Sequence, residues 1–501
     1  MRAFRLLRPG SLVAASALLL APGLVLGAQL DAAVFVLAGV RIREGAMPYR
    51  GFWDHKPPGS YLLNALGQTA LPWLDPWLVS WLLTLVITAA TVLLVDSLLR
   101  RKLSPGPAWL WSVVCAVGIA CYPVALGGGA TESFALLPLV AALWMIAGGP
   151  LGLRHAAMIG CLASVACLMS LQSLPAAAVV VVAALLGGAR GAGSRPAGLG
   201  RMAVAVVAGG LALPAVVLGW LFVGGALGDA VDQIVAYNGA YRSASPGLGE
   251  LLPITLLFAG CLLIPVGVTV ARMVRAPRSY GRIEWASLAW TIAYIAYVVY
   301  QDRIYLHYLI LVVPPMVVLA GPGAQWLWTR LWSHDRRVRL PAIALSAAAA
   351  GAFLISTWVA IQLTALTVGK SDENRPPHSA TVAWLDANTP ASATLFVWGD
   401  DTDLYLSSGR TPYDRYVYQF PMVTAGYWSA DRTADLLAAW RATPPAVIVE
   451  VSSTVPMFEP PADSPDPRSF DTLGPLRDFV RDNYRLAATA GTNNVYVLVR
   501  P

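Results

Sequence analysis

The sequence predicts a mostly α protein: a polytopic transmembrane helical bundle of about eleven spans with a small extracytoplasmic α/β domain at its C-terminal end. Three observations lead there. Apolar runs close to twenty residues long recur through the first 366 residues, and 57% of the whole chain is hydrophobic, more than a soluble core requires. Clusters of Arg and Lys stand between alternate runs. After Lys370 the composition turns polar, and short strand-like and helix-like stretches alternate to the end.

The first apolar run, residues 11–30, follows Arg2, Arg5 and Arg8. Leu26, Gly27 and Ala28 before Gln29 look like a signal cleavage site, but so many runs follow that an uncleaved first span is expected. Further spans are expected at 76–98, 107–124, 132–149, 156–171, 173–189, 202–224, 251–272, 284–300, 304–321 and 341–362. The segment 156–189 is short for two crossings, yet Arg154 and Arg190 both look cytoplasmic, which requires a pair. The basic clusters place 18 Arg and Lys residues on the side of the N-terminus. The alternate connections hold only six: Arg41, Arg43, Arg50, Lys56, Arg242 and Arg303. The positive-inside bias therefore puts the N-terminus in the cytoplasm, and the first loop and the C-terminal domain outside. The domains are read as 1–366, a membrane domain whose first extracytoplasmic loop is 31–75, and 367–501, a soluble α/β domain.

The net charge of +7 is no sign of nucleic-acid binding, because most of the Arg sits where membrane topology needs it. The five cysteines all fall in apolar runs, so there is neither a disulfide framework nor metal-ligand spacing. In the tail, ATLFVWG, AVIVEV and NVYVLV read as strands, and RTADLLAAW and PLRDFVRDNY as helices. The tail contains no Gly-rich phosphate loop, no GxSxG and no zinc spacing, so it is expected to cover a cleft or help choose an acceptor.

The charged residues that topology does not explain concentrate in residues 31–61, DAAVFVLAGVRIREGAMPYRGFWDHKPPGSY. Val34, Leu37, Ala38 and Ile42 suggest an amphipathic helix lying on the membrane plane from Asp31 to Gly45. Two prolines after Lys56 then force extended backbone, and Gly59 allows a turn. This loop offers Asp31, Tyr49, Arg50, Asp54, His55 and Lys56. Other outer connections offer Glu132 beside a glycine triplet, then Asp232, Tyr237, Asn238, Tyr241 and Arg242, and finally Arg303 and His307 in RIYLHY, four apart on one helical face. Ordinary explanations exist for each. Asp31 suits an N-cap, Asp54 pairs readily with Arg50 or Lys56, Lys56 can reach lipid headgroups, and Glu132 suits a helix N-terminus. What they share is one membrane face, where ionisable groups are costly unless they are used.

These elements resemble those of the GT-C glycosyltransferases, in particular the bacterial branch of glycosyltransferase family 39 related to protein O-mannosyltransferases and the aminoarabinose transferase. The resemblance rests on Asp31 just after the first span, on PYRGFWDHKPPGSY about twenty residues later, on ATES opening the fourth span and on RIYLHYLILVVPP near the tenth, and it covers roughly residues 1–362. Many relatives carry a second acid directly after the aspartate. Ala32 stands there, so a role shared between two adjacent acids does not carry over.

The resemblance implies an enzyme of a bacterial plasma membrane that takes a sugar from a polyprenyl-phosphate donor and passes it, with inversion, to a glycan, lipid or protein hydroxyl outside the cytoplasm. Asp31 matches the family's catalytic aspartate, with Glu132 and Asp54 as the other candidate acids. Lys56 and Arg303, joined by His307, Tyr49, His55 and Arg50, are candidates for the donor phosphate. No cofactor is expected to be obligatory. A divalent metal is possible, as some relatives use one, although one isolated acid is a thin site for it. A competing reading is a transporter or lipid-glycan flippase. Such proteins use charges near mid-bilayer, whereas here the charges gather at one face.

Overall fold

A computed structural model describes residues 2–28, 31–188, 198–241, 252–301, 305–370, 379–451, 457–458 and 472–499. The contacts divide the chain into two compact units. The first comprises Met1–Leu24, Ser80–Leu218 and Pro246–Thr367. The second joins Val25–Val79 and Gly219–Ser245 to Val368–Pro501, so the first loop and the 219–245 connection group with the C-terminal residues.

The first unit is built of long apolar helices: α1 (Arg2–Leu20), α4 (Pro76–Leu99), α5 (Pro105–Ala120), α6 (Thr131–Ala147), α7 (Leu153–Met169), α8 (Leu174–Gly188), α9 (Leu199–Val223), α10 (Leu252–Arg275), α11 (Arg282–Gln301), α12 (Val313–Leu331) and α13 (Arg336–Lys370). Among the described residues, five helical segments are long and apolar enough to cross a membrane, namely Arg8–Leu26, Pro76–Leu99, Leu199–Val223, Arg282–Gln301 and Arg336–Leu366, and four shorter apolar helices accompany them. Helices α9 and α13 leave Leu211, Val216, Leu354 and Trp358 exposed, a surface suited to lipid.

The tenth expected span differs from what forms. Leu306–Leu311 is a 3-10 helix, and α12 starts only at Val313 and runs on to Leu331. Pro314 and Pro315 are the reason. They lack amide hydrogens and fit the first turn of a helix but not its interior.

Small residues set the closest helix contacts. A Cβ on Gly160 of α7 would lie 2.1 Å from the Val206 carbonyl oxygen of α9, and one on Gly209 of α9 would lie 2.0 Å from the Ala157 oxygen, so bare backbone is required on both sides. Of the glycine triplet before α6, Gly127 takes φ +80° and a Cβ there would meet the Cα of Gly23 at 2.6 Å. The space that the triplet opens is therefore filled by another backbone. Asp96 of α4 is buried, accepts hydrogen bonds from Arg8 and from Ser112 at 3.0 Å and forms an ion pair with Arg100 at 2.9 Å, which ties α1, α4 and α5 together.

In the second unit, α2 (Asp31–Arg43) packs against α3 (Gly59–Ala70) and against the short helix α15 (Asp403–Ser408). The expected amphipathic surface helix is therefore corrected. Helix α2 begins at Asp31 as expected and ends at Arg43, two residues short of the expected Gly45, and Ala32–Gly39 are all buried, not only one stripe. Helix α3 supplies the cover. Gly39 lets Asn64 and Gln68 approach, and the Gln68 side-chain amide donates to the Val36 carbonyl at 3.1 Å.

The C-terminal residues of this unit begin with α14 (Ser379–Asn388) and form a four-stranded sheet of order β1-β2-β4-β3, from β1 (Leu395–Trp398), β2 (Val447–Glu450), β3 (Tyr484–Ala490) and β4 (Asn493–Leu498). β1 and β2 are parallel, with Leu395 opposite Val447, and both are buried along their length. β4 runs antiparallel to β2 and to β3. The parallel pair needs a crossover, which includes α16 (Ala430–Ala442), capped by Ser429. Trp440 of α16 packs edge-on against Phe396 at 4.8 Å, and α17 (Gly474–Asn483) adds Phe479 to that cluster.

Candidate active site

The site in the second unit is a loop held from three directions. Between α2 and α3 the chain makes no regular structure, and its polar groups are satisfied by side chains. Tyr49 is fully buried at φ +68°, an uncommon backbone for a bulky residue. Its hydroxyl donates to the Lys56 carbonyl at 2.8 Å, and the Tyr61 hydroxyl lies 2.9 Å from the same oxygen. The turn that presents Lys56 is thus pinned by two tyrosines.

Asp54 is the centre of this arrangement. It is 2% exposed. Its carboxylate accepts from Tyr61 at 2.5 Å, from Tyr418 at 2.8 Å and from the His55 amide at 2.8 Å, with the His55 ring at 3.2 Å. The Asp54 amide donates to Gln233, whose side-chain nitrogen donates back to the Tyr49 carbonyl at 2.7 Å. Asn238 donates to the His55 carbonyl at 2.9 Å. From the tail, the Trp53 amide donates to the Arg415 carbonyl at 2.6 Å, and the Trp53 indole donates to Tyr427 at 3.1 Å. Arg415 pairs with Asp229 at 2.8 Å, and Arg432 pairs with Asp232 at 3.0 Å. Residues 232–236 form a π-helical turn, which aims Gln233 into the loop.

Asp31 is the first residue of α2, and its carboxylate is paired with the Lys56 ammonium. The Asp31 side chain keeps 51% of its surface, against 3% for Asp54. Lys56 also lies over the Phe35 ring, 4.9 Å from its centroid. Burial works to raise the Asp31 carboxyl, but the charge and hydrogen bond of Lys56, and then the charge of His55, outweigh it and hold the group below the ordinary aspartate value. For Asp54, burial is likewise outweighed, first by the hydrogen bond and charge of His55, and the carboxyl is held down at about 2. Burial and the Asp54 charge push the Tyr49, Tyr61 and Tyr418 hydroxyls well above their usual range, so they stay protonated as donors.

The structure therefore brings Asp31, Tyr49, Arg50, Asp54, His55 and Lys56 into one unit. Arg50 stands at its edge, mostly exposed and 3.9 Å from Asp229. Glu132 and His307 belong to the first unit. Glu132 is 4% exposed and accepts from Thr131 and Ser170, each at 3.0 Å. His307 stacks on Tyr305, 5.5 Å between centroids, and meets Tyr308 edge-on. It stands in the 3-10 helix; Arg303, expected beside it, and Arg242 lie outside the described residues.

Sequence reasoning missed Gln233, Tyr418, Tyr427, Arg415 and Asp400. Gln233 and Tyr418 contact the loop across 179 and 364 residues of chain, and no spacing encodes that. Asp400 follows β1, and its carboxyl is raised by burial, with the charges of Asp401 and Asp31 adding to the effect. Among the described residues, no group of three or more His, Cys, Asp or Glu is arranged to hold a metal ion.

The arrangement of long helices, buried first loop and small mixed sheet recurs in solved structures, to which this chain is similar in fold. The chain is similar to ArnT from Cupriavidus metallidurans bound to undecaprenyl phosphate, with a TM-score of 0.62 and 14% identity over 99% of this chain and 98% of that one. It is similar to the apo state of the same protein, with a TM-score of 0.58 and 14% identity over 95% and 94%. The oligosaccharyltransferase of Archaeoglobus fulgidus in its apo form has a TM-score of 0.51 and 14% identity over 89% of this chain and 69% of that one. No family model matches the sequence, and no curated protein matches it. The resemblance read from the motifs is thus borne out in the fold.

Proposed function

We propose that this protein is a glycosyltransferase that moves a sugar from a polyprenyl-phosphate donor to a hydroxyl of an extracytoplasmic glycan, lipid or protein, with Asp31 as general base. The observation that carries this reading is the pair of Asp31 and Lys56, formed between the first residue of α2 and a turn locked by Tyr49, Tyr61 and Asp54. The pair has the two charges the reaction needs. Lys56 is a cation for the donor phosphate. Asp31 is a partly exposed carboxylate kept ionised by its neighbours.

In the proposed step, the acceptor hydroxyl gives its proton to Asp31 and its oxygen bonds to the anomeric carbon. The bond from that carbon to the phosphate oxygen breaks, and its electron pair leaves with polyprenyl phosphate. Direct displacement of this kind inverts the anomeric centre. The leaving phosphate is a stable dianion when cations match its charge, so the step relies on base catalysis rather than on a strong acid. Asp54 has its oxygens committed to three donors and acts by holding the turn. No resident metal is needed. The ArnT structure that this fold matches holds undecaprenyl phosphate, which supports a lipid-carrier donor.

In the same reading the chain crosses a bacterial plasma membrane eleven times, with the N-terminus inside and the C-terminal residues outside, as the distribution of 18 and six basic residues favours. The purified protein, given a panel of polyprenyl-phosphate sugars and followed by mass spectrometry, is expected to release polyprenyl phosphate and to continue in EDTA. A flippase would move the lipid without cleaving it, so intact donors across the whole panel overturn the proposal.

A further inference from the structure

The C-terminal ends of α4 and α6 and the N-terminal end of α11 line an open cavity of about 380 Å³ in the first unit, whose lining includes none of the candidate site residues. Three cations line it, Arg101, Lys102 and Arg282, against one carboxylate, Glu284. Each is fixed by something specific. Glu284 is buried, accepts the Gly281 amide at 2.9 Å and holds the Lys102 ammonium at 3.3 Å. Arg101 lies over the Trp144 ring, 5.6 Å from its centroid. Arg282 runs against the backbone of α8, where a Cβ on Gly187 would stand 3.1 Å from its Nη1. Among the described residues, neither Arg101 nor Arg282 has a carboxylate at ion-pair distance, so two guanidinium groups face the cavity with their charge uncompensated.

We propose that this cavity binds the phosphate of an anionic phospholipid. Guanidinium groups match phosphate oxygens two at a time, and Lys102, steadied by Glu284, adds a third cation. The first turn of α11, a 20-residue helix, opens on the same space and favours negative charge. The rest of the lining points to lipid rather than to a soluble ester. Leu98 and Ile146 form an apolar wall, and the cavity sits where three apolar helices end, which is the depth of headgroups. Trp144, 37% exposed, stands at the same level, as interfacial tryptophans do.

The test is thermal unfolding of the full-length protein in a neutral detergent, with phosphatidylglycerol, with phosphatidylcholine of the same chains and with inorganic phosphate. Phosphatidylglycerol is expected to raise the midpoint by roughly 3–8 °C at a large excess, and the other two to change it by about 1 °C or less. The double variant Arg101→Gln, Arg282→Gln is expected to lose that rise while keeping its midpoint in detergent alone. Should the pair of changes prevent folding, Arg101→Gln at its exposed position is expected to lose more than half of the rise, and Arg101→Lys to recover only part of that loss. An undiminished rise in Arg101→Gln, or an equal rise with phosphatidylcholine, overturns the site. Inorganic phosphate matching phosphatidylglycerol overturns the assignment to lipid and leaves a soluble phosphate ester.

Discussion

Asp31 and Glu132 begin helices in different units, and their surroundings separate two uses of a carboxylate. Both stand in the first turn, where the helix dipole favours an acid. Asp31 keeps half of its side-chain surface and is paired with a lysine from a rigid turn. Glu132 is sealed, with one oxygen taken by Thr131 and the other by Ser170, and among the described residues no cation pairs with it. A carboxylate that must accept a proton from an incoming acceptor needs both access and a stabilised charge. Asp31 has both, whereas Glu132 has the contacts of a group that holds α6 against the segment containing Ser170.

The largest expected effect tests that contrast directly. Asp31→Asn preserves shape, and Asn suits a helix N-terminus as well as Asp does. Turnover is nonetheless expected to fall roughly 10²-fold or more, with thermal stability and donor binding near wild type. Near-normal transfer by this variant would remove Asp31 as the base and leave Glu132 or Asp54 to be examined.

A smaller loss is expected at the other half of the pair. Lys56→Ala removes a charged contact worth about 1.5–3 kcal/mol, so the donor concentration needed for half-maximal rate rises about 10- to 100-fold. Lys56→Arg restores part of this, since a planar fork does not reproduce a compact ammonium. An unchanged donor requirement in Lys56→Ala takes that residue out of the site.

Asp54 sharpens the comparison through pH. Its carboxyl is held at about 2 in the fold, below the ordinary aspartate value near 3.8. A depressed group contributes stability that is complete above the unfolded value and is lost as the pH falls through the folded one. The wild-type midpoint of unfolding should therefore drop between about pH 4 and pH 2, and Asp54→Asn should start lower at neutral pH and show a flatter acid profile. Parallel profiles for the two proteins would show that Asp54 carries no such charge.

The smallest change is expected at Glu132→Gln. The amide still accepts one hydroxyl hydrogen bond, so turnover should stay within about threefold, while stability falls by around 1 kcal/mol. A hundredfold loss of turnover with the fold intact would reverse the assignment of the two acids.

Sequence alone determined the elements that depend on neighbours along the chain. Apolar runs of bilayer length and the basic residues between them act within one or two turns of backbone, so the helical architecture was legible; the extended stretch and turn expected after Lys56 were not found, since Pro58 takes helical backbone and Gly59 opens α3. Asp31 and Lys56 were legible as candidates, because both stand in one charged stretch, 25 residues apart. Pro314 and Pro315, which lack amide hydrogens, mark the start of α12 in the same local way. Tertiary structure alone decided which acid is buried. Nothing local distinguishes Asp54 from Asp31; Tyr418, 364 residues away, and Gln233 on its π-helical turn make the difference, by filling the space through which water would reach the carboxylate and donating the hydrogen bonds that replace it. The same holds for α2, which reads as a surface helix until α3 and α15 cover it. Burial is a property of the whole packing, and a pattern of side chains along one helix records only the faces it could bury, not the partners that arrive.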